Sequence, residues 1–140
     1  MNKSPYKLLA ERLDALPNGY PPTESGVELK ILQKLFTPEE AFLASQLRIP
    51  FETPFEIIER TGLESRETFG LLKTMVRKGL IKMGRVDGRL GFAIMPFAVG
   101  IYEMQVGRID EEFARLFEDY FTDAFHGIIG IQPQVHRVIP

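Results

Sequence analysis

Between Ser65 and Met95 the hydrophobic period changes once, from helical spacing to partial alternation, and the change falls between two glycine signals. Ser65 is a suitable N-cap, and Phe69, Leu72, Met75, Val76 and Leu80 form the expected buried face of the helix it opens. Arg77 and Lys78 suit the negative end of the helix dipole, and Gly79 suits the left-handed stop after it. Two runs within Leu80–Met95 then flank Asp87-Gly88, a strong two-residue hairpin signal, and Pro96 ends the second run. An isolated hairpin is marginal in water, so these strands must lie against the helix that feeds them. The chain is thereby confined to a mainly α fold with a small β-hairpin.

Upstream, Ser4-Pro5 opens a short amphipathic helix carrying Leu8, Leu9, Leu13 and Leu16. The stretch Leu16–Pro22 cannot continue it, and Tyr20 is expected to pin this turn to the core. Ser25-Gly-Val-Glu28, Thr37-Pro-Glu-Glu40 and Thr53-Pro-Phe-Glu56 each match the S/T-x-x-E capping box ahead of an apolar-periodic run. After Pro96, helical segments are expected at about Phe97–Val106 and Asp110–Phe125, and the tail from Gly127 has no periodicity.

A short helix at Pro54–Thr61, a tight turn, the Ser65–Lys78 helix and the hairpin follow the order of a winged helix-turn-helix, with Leu80, Phe92 and Ile94 covering the open side. The expected organisation is an N-terminal helix and Pro-rich turn (1–22), the winged helix-turn-helix (23–96), C-terminal helices (97–126) and a tail or linker (127–140). With 140 residues, 44% of them hydrophobic, one core suffices.

Several functions are disfavoured by the residues themselves. The chain has no cysteine, which excludes disulfides, thiolate catalysis and an iron–sulfur cluster held by this segment. The longest uncharged stretch, Leu90–Tyr102, contains Gly91, Pro96 and Gly100 and is too short to span a bilayer. The opening Met1-Asn-Lys-Ser-Pro lacks a secretory apolar run, which points to the cytoplasm. Glu39-Glu40 and Glu111-Glu112 are helix neighbours whose side chains diverge, so neither makes an acid/base pair. His126 and His136 have no partner at metal-binding spacing. Gly84–Gly91 is glycine-rich but runs into a strand and lacks the Gly-Lys-Ser/Thr of a phosphate loop. None of Ser4, Ser25, Ser45 and Ser65 sits in a nucleophile-elbow sequence. No enzyme, bound cofactor or metal is expected in this segment.

Charge is uneven. Leu63–Phe92 carries seven basic residues and three acidic ones, a local excess of +4, and the remainder of the chain carries −6. Arg66, Gly70, Lys73 and Arg77 recur at i, i+4, i+7 and i+11 along one helix face, with Lys78 beside them and Arg85 and Arg89 on the wing. This pattern suits a phosphate backbone, and these seven residues are the candidate nucleic-acid contacts. Against it, Glu64 and Glu67 occupy the helix N-terminus that would meet bases, and no Asn or Gln on the stripe can read adenine. The competing function is protein docking or regulation. The Ile109-Phe113-Leu116-Phe117-Tyr120-Phe121-Phe125 stripe is read as core with docking as its alternative. Its opposite face is acidic, with Asp110, Glu111, Glu112, Glu118, Asp119 and Asp123.

Four segments, Leu16-Pro-Asn-Gly-Tyr-Pro-Pro-Thr, Gly26-Val-Glu-Leu-Lys-Ile-Leu, Leu35-Phe-Thr-Pro-Glu-Glu-Ala41 and Pro96-Phe-Ala-Val-Gly-Ile-Tyr-Glu103, are similar to the N-terminal winged-helix segment of ferredoxin-type iron–sulfur proteins of anaerobic prokaryotes. Gln134-Val-His-Arg-Val-Ile-Pro140 resembles that family's approach to its cluster-binding module. The resemblance implies a non-catalytic accessory module that docks a protein partner or a covalently linked ferredoxin module, with the cluster in a downstream part of a longer protein. By fold analogy a homodimer through the Pro5–Leu16 and Asp110–Phe125 helices is also expected. Reading the coding sequence past Pro140 tests the implication: a Cys-x-x-Cys-x-x-Cys run is expected, and its absence removes the ferredoxin link.

Overall fold

The computed structural model describes residues 3–105 and 111–131, with side chains through Ala124. The order is α1 (Pro5–Asp14), α2 (Val27–Leu35), α3 (Pro38–Ser45), α4 (Pro54–Thr61), α5 (Ser65–Lys78), β1 (Ile81–Val86), β2 (Arg89–Ile94), α6 (Tyr102–Gln105) and α7 (Glu111–Ile131). The mainly helical class with one small antiparallel hairpin is therefore present.

Local chemistry sets most helix starts. Ser4 accepts from the Lys7 N–H. Thr37 and Thr53 form complete capping boxes with Glu40 and Glu56, and Pro38 and Pro54 open the two helices. The third expected box is a correction. Helix α2 is capped by Gly26 at φ 75°, without a side-chain bond. Thr23 takes the role assigned to Ser25: its hydroxyl accepts from Gly26 N–H at 3.1 Å and donates to Glu28 Oε1 at 2.7 Å. Glu28 is buried and also accepts from Thr23 N–H, whereas Ser25 donates to Asp123 on α7. The polar bonds span five residues instead of three because the left-handed Gly26 reverses the chain before the helix begins.

Helix α5 begins one residue away from expectation. Its N-cap is Glu64, whose carboxylate accepts from Arg66 N–H at 3.0 Å and Glu67 N–H at 2.8 Å, and Ser65 is the first helical residue. Gly62, at φ 73°, ends α4 and leaves only Leu63 and Glu64 between the helices. The buried face also differs. Thr68, Leu72 and Met75 are buried and Val76 is half-buried, but Phe69 is exposed, with Lys73 Nζ 5.1 Å from its ring centroid. Thr68 is small enough to enter the packed side, which turns Phe69 outward.

The hairpin follows the sequence closely. Val86 pairs with Arg89 across Asp87 (φ 51°) and Gly88 (φ 79°), the two positive angles a tight two-residue turn requires. Ile81, Phe92 and Ile94 face the core, and α5 packs on β1. The far edge of β2 is also paired: Glu52 exchanges backbone bonds with Phe92 at 3.0 and 2.8 Å, and Ile94 N–H donates to Arg48 at 3.1 Å. Arg60 of α4 clamps this edge, donating to both Glu52 carboxylate oxygens at 2.6 and 2.9 Å and to Gln46 O.

The expected helix at Phe97–Val106 is reduced to Tyr102–Gln105, since Ala98, Val99 and Gly100 have non-helical angles. Val and Gly are poor helix formers, and burial of Phe97 and Ile101 fixes the local path. Val106, Ile109 and Asp110 lie outside the described residues. Helix α7 runs past the expected Phe125 to Ile131, so part of the segment from Gly127 is helical; the remainder, from 132, lies outside the described residues.

Urea unfolding tests the caps. Thr53→Ala should cost about 1 kcal/mol, and Thr23→Ala, which strips a bond from buried Glu28, about 1–3 kcal/mol. Ser25→Ala should stay within about 0.5 kcal/mol.

Candidate functional site

On the solvent side of α5, Arg66, Gly70, Lys73 and Arg77 are all exposed. A Cβ added at Gly70 would meet nothing within 4 Å, so this face is open to close approach. Arg85 and Arg89 are exposed on either side of the hairpin turn, and Arg85 Nη1 donates to Gly88 O at 3.3 Å.

Lys78 leaves this group. Its ammonium lies 2.7 Å from Glu40 Oε1, and the Glu40 side chain is only 3% exposed. The same oxygen accepts from Thr37 N–H in the α3 capping box. One buried carboxylate thus closes the start of α3 and fastens the end of α5 onto it. The helical pattern put Lys78 beside the stripe because periodicity cannot see a partner 38 residues away.

The N-terminal end of α5 is acidic. Bonds from the Glu67 and Arg66 N–H groups hold the exposed Glu64 carboxyl below the usual glutamate range. Glu67 is exposed one turn along. A cleft of about 290 Å³ opens beside it, where α3, the first half of α5 and Pro5 of α1 meet. Its floor is apolar, and Phe42 is 38% exposed there although Ala41, Leu43 and Ala44 beside it are buried. Helical periodicity places Phe42 with Ala41, Leu43 and Leu47 in the apolar run that follows Thr37-Pro-Glu-Glu40, and does not reveal the cleft. The only available signal was an aromatic residue off the phase of its neighbours.

The aromatic stripe of α7 is core. Phe113, Phe117 and Tyr120 are buried and Leu116 and Phe121 half-buried, while Ile109 and the Phe125 side chain lie outside the described residues. Leu9 and Leu13 of α1 are likewise buried. Glu111, Glu112, Glu118, Asp119 and Asp123 line the exposed side of α7, with Glu112 paired to Lys34 at 3.1 Å; Asp110 lies outside the described residues.

The serines have local partners or positions: Ser4 caps α1, Ser25 meets Asp123, Ser45 donates to Phe42 O, and Ser65 opens α5. Of the adjacent carboxylates, Glu40 is buried in its box while Glu39 is exposed. Among the described residues there is no group of three or more potential His, Cys, Asp or Glu metal ligands. The side chain of His126 and the whole of His136 lie outside them. No described helix is long and apolar enough to cross a membrane. No protein-family model, curated protein or solved structure matches the chain.

Lys78→Ala should destabilise the fold by about 1–2 kcal/mol, less than for a fully buried pair because the lysine reaches water. Lys73→Ala should stay within about 0.5 kcal/mol in the same urea titration.

Proposed function

We propose that the chain is a non-catalytic, cytoplasmic winged-helix module that docks protein, accessory to a ferredoxin-type iron–sulfur electron-transfer protein. The winged-helix assignment is supported by the order α3, the Arg48–Glu52 edge, α4, α5, β1, β2 and by the pairing of Glu52 with Phe92. The ferredoxin link is supported by the sequence resemblance, which covers nearly the whole chain. No cofactor is assigned to the segment itself.

Docking is favoured over DNA binding by one observation, the ionised cap of α5. In a DNA-reading helix-turn-helix, the N-terminal residues of the second helix contact base edges. Here that position carries Glu64, held charged by two backbone N–H groups, with Glu67 beside it. Both would meet the negative duplex and raise the cost of approach. Lys78, paired with Glu40, offsets them less than an unpaired lysine would.

The exposed Arg66, Lys73, Arg77, Arg85 and Arg89 around open Gly70 support the alternative, a winged-helix transcriptional regulator. Fluorescence anisotropy with a labelled mixed-sequence duplex separates the two. Docking predicts binding no tighter than about 100 µM at physiological salt. Lys73→Ala combined with Arg77→Ala should leave that residual affinity unchanged. Micromolar or tighter binding that the double variant loses overturns the docking reading. Each lost phosphate contact should then lower the salt slope of log K by about 0.9.

A further inference from the structure

The cleft beside the α5 N-terminus combines features that a solvated helix junction does not need. Phe42, Leu43, Leu63 and Leu71 make an apolar floor, and Phe42 remains 38% exposed on it. The charged residues of the lining are Glu39 and Glu67, and no lysine or arginine lines it. Glu64 is not part of this lining; its carboxylate caps α5, accepting from the Arg66 and Glu67 N–H groups. A volume of about 290 Å³ is at the small end for a ligand site and suits one or two apolar side chains rather than a cofactor.

Resting on the docking reading above, we propose that this cleft is the docking site and that it takes a short basic, amphipathic segment of a partner protein. One or two large apolar residues of that segment occupy the floor, and flanking lysines or arginines face Glu39 and Glu67. The mode is helix-in-groove recognition: apolar anchors supply affinity and the acidic rim selects orientation and charge. The same carboxylates repel a phosphate backbone, so the cleft discriminates between the two classes of partner.

The probe is a fluorescein-labelled synthetic peptide of about 14 residues, with leucines at i, i+3, i+4 and i+7 and lysines elsewhere. It is titrated with the intact 140-residue chain and read by anisotropy and by ¹H–¹⁵N chemical shifts. Saturable binding is expected, with shifts concentrated at Phe42, Leu63, Glu67 and Leu71. Glu39→Lys combined with Glu67→Lys should weaken it at least about tenfold, as should Phe42→Ala, because each tenfold reports a modest contact energy. All three positions are exposed, and circular dichroism verifies that the variants fold. Lys73→Ala with Arg77→Ala should not weaken binding, and a peptide with glutamate in place of lysine should not bind.

Equal binding by the charge-reversed variant, or by the acidic peptide, overturns the proposal. So does absence of binding at millimolar peptide. Shifts confined to another face overturn the cleft assignment and leave docking standing. Duplex DNA binding through the basic face would overturn docking itself. A second copy in the cleft would appear as a sedimenting dimer that the charge reversal dissolves, and that outcome also overturns the proposal.

Discussion

The phenol of Tyr20 is the fixed point of the molecule. Its ring is buried 4.4 Å from Phe97 and 4.9 Å from Tyr120, and its hydroxyl donates to Glu28 O at 2.7 Å. Tyr120 in turn donates to Pro21 O at 2.9 Å, so a second, independent bond holds α7 to the same turn. Burial, then the neighbouring Tyr120 and Glu28, pushes the Tyr20 hydroxyl far up, which keeps it a neutral donor at ordinary pH. Full burial of such a ring contributes about 2–3 kcal/mol, and each good aromatic pair roughly 0.5–1.5 kcal/mol more. The N-terminal turn, α2, α7 and the chain leaving the hairpin all meet here. This junction adds to the direct packing of α1 on α3 and of α2 on α7.

Two polar ties complete the frame, and both shape the electrostatics outside. Arg60 holds α4 to the Glu52 edge, and its hydrogen bonds to Glu52 raise the guanidinium pKa further. Lys78 holds α5 to α3 through Glu40. In each case a charge that reads as surface decoration is used internally. Of the basic stretch, Lys78 is drawn into such a tie, while Glu39, Glu64 and Glu67 remain at the surface.

These ties also place the cleft. The Lys78–Glu40 tie fixes the end of α5 against the start of α3, and further along the same helix pair the cleft opens between Glu39 and Phe42 on one side and Leu63, Glu67 and Leu71 on the other. A cap made from Glu64 instead of Ser65 then leaves a full negative charge at that junction. The proposed docking site and the preference for a basic segment proposed for it rest on this one packing arrangement.

Helix starts at Ser4, Thr37 and Thr53 and the Asp87-Gly88 hairpin turn were legible in the residues because each signal is complete within four neighbours. The exposed positions of Arg66, Gly70, Lys73 and Arg77 were legible for the same reason: a helix of known phase places them. Tertiary structure alone decided which of Thr68 and Phe69 enters the core, that Glu28 answers Thr23, that Lys78 turns toward Glu40, and that Glu52 extends the sheet. It also decided the cleft, whose walls come from three helices. Local sequence fixes hydrogen bonds between near neighbours and the phase of a helix. Which side of that phase is buried depends on the shape and charge of segments tens of residues away, and those are set only when the chain closes on itself.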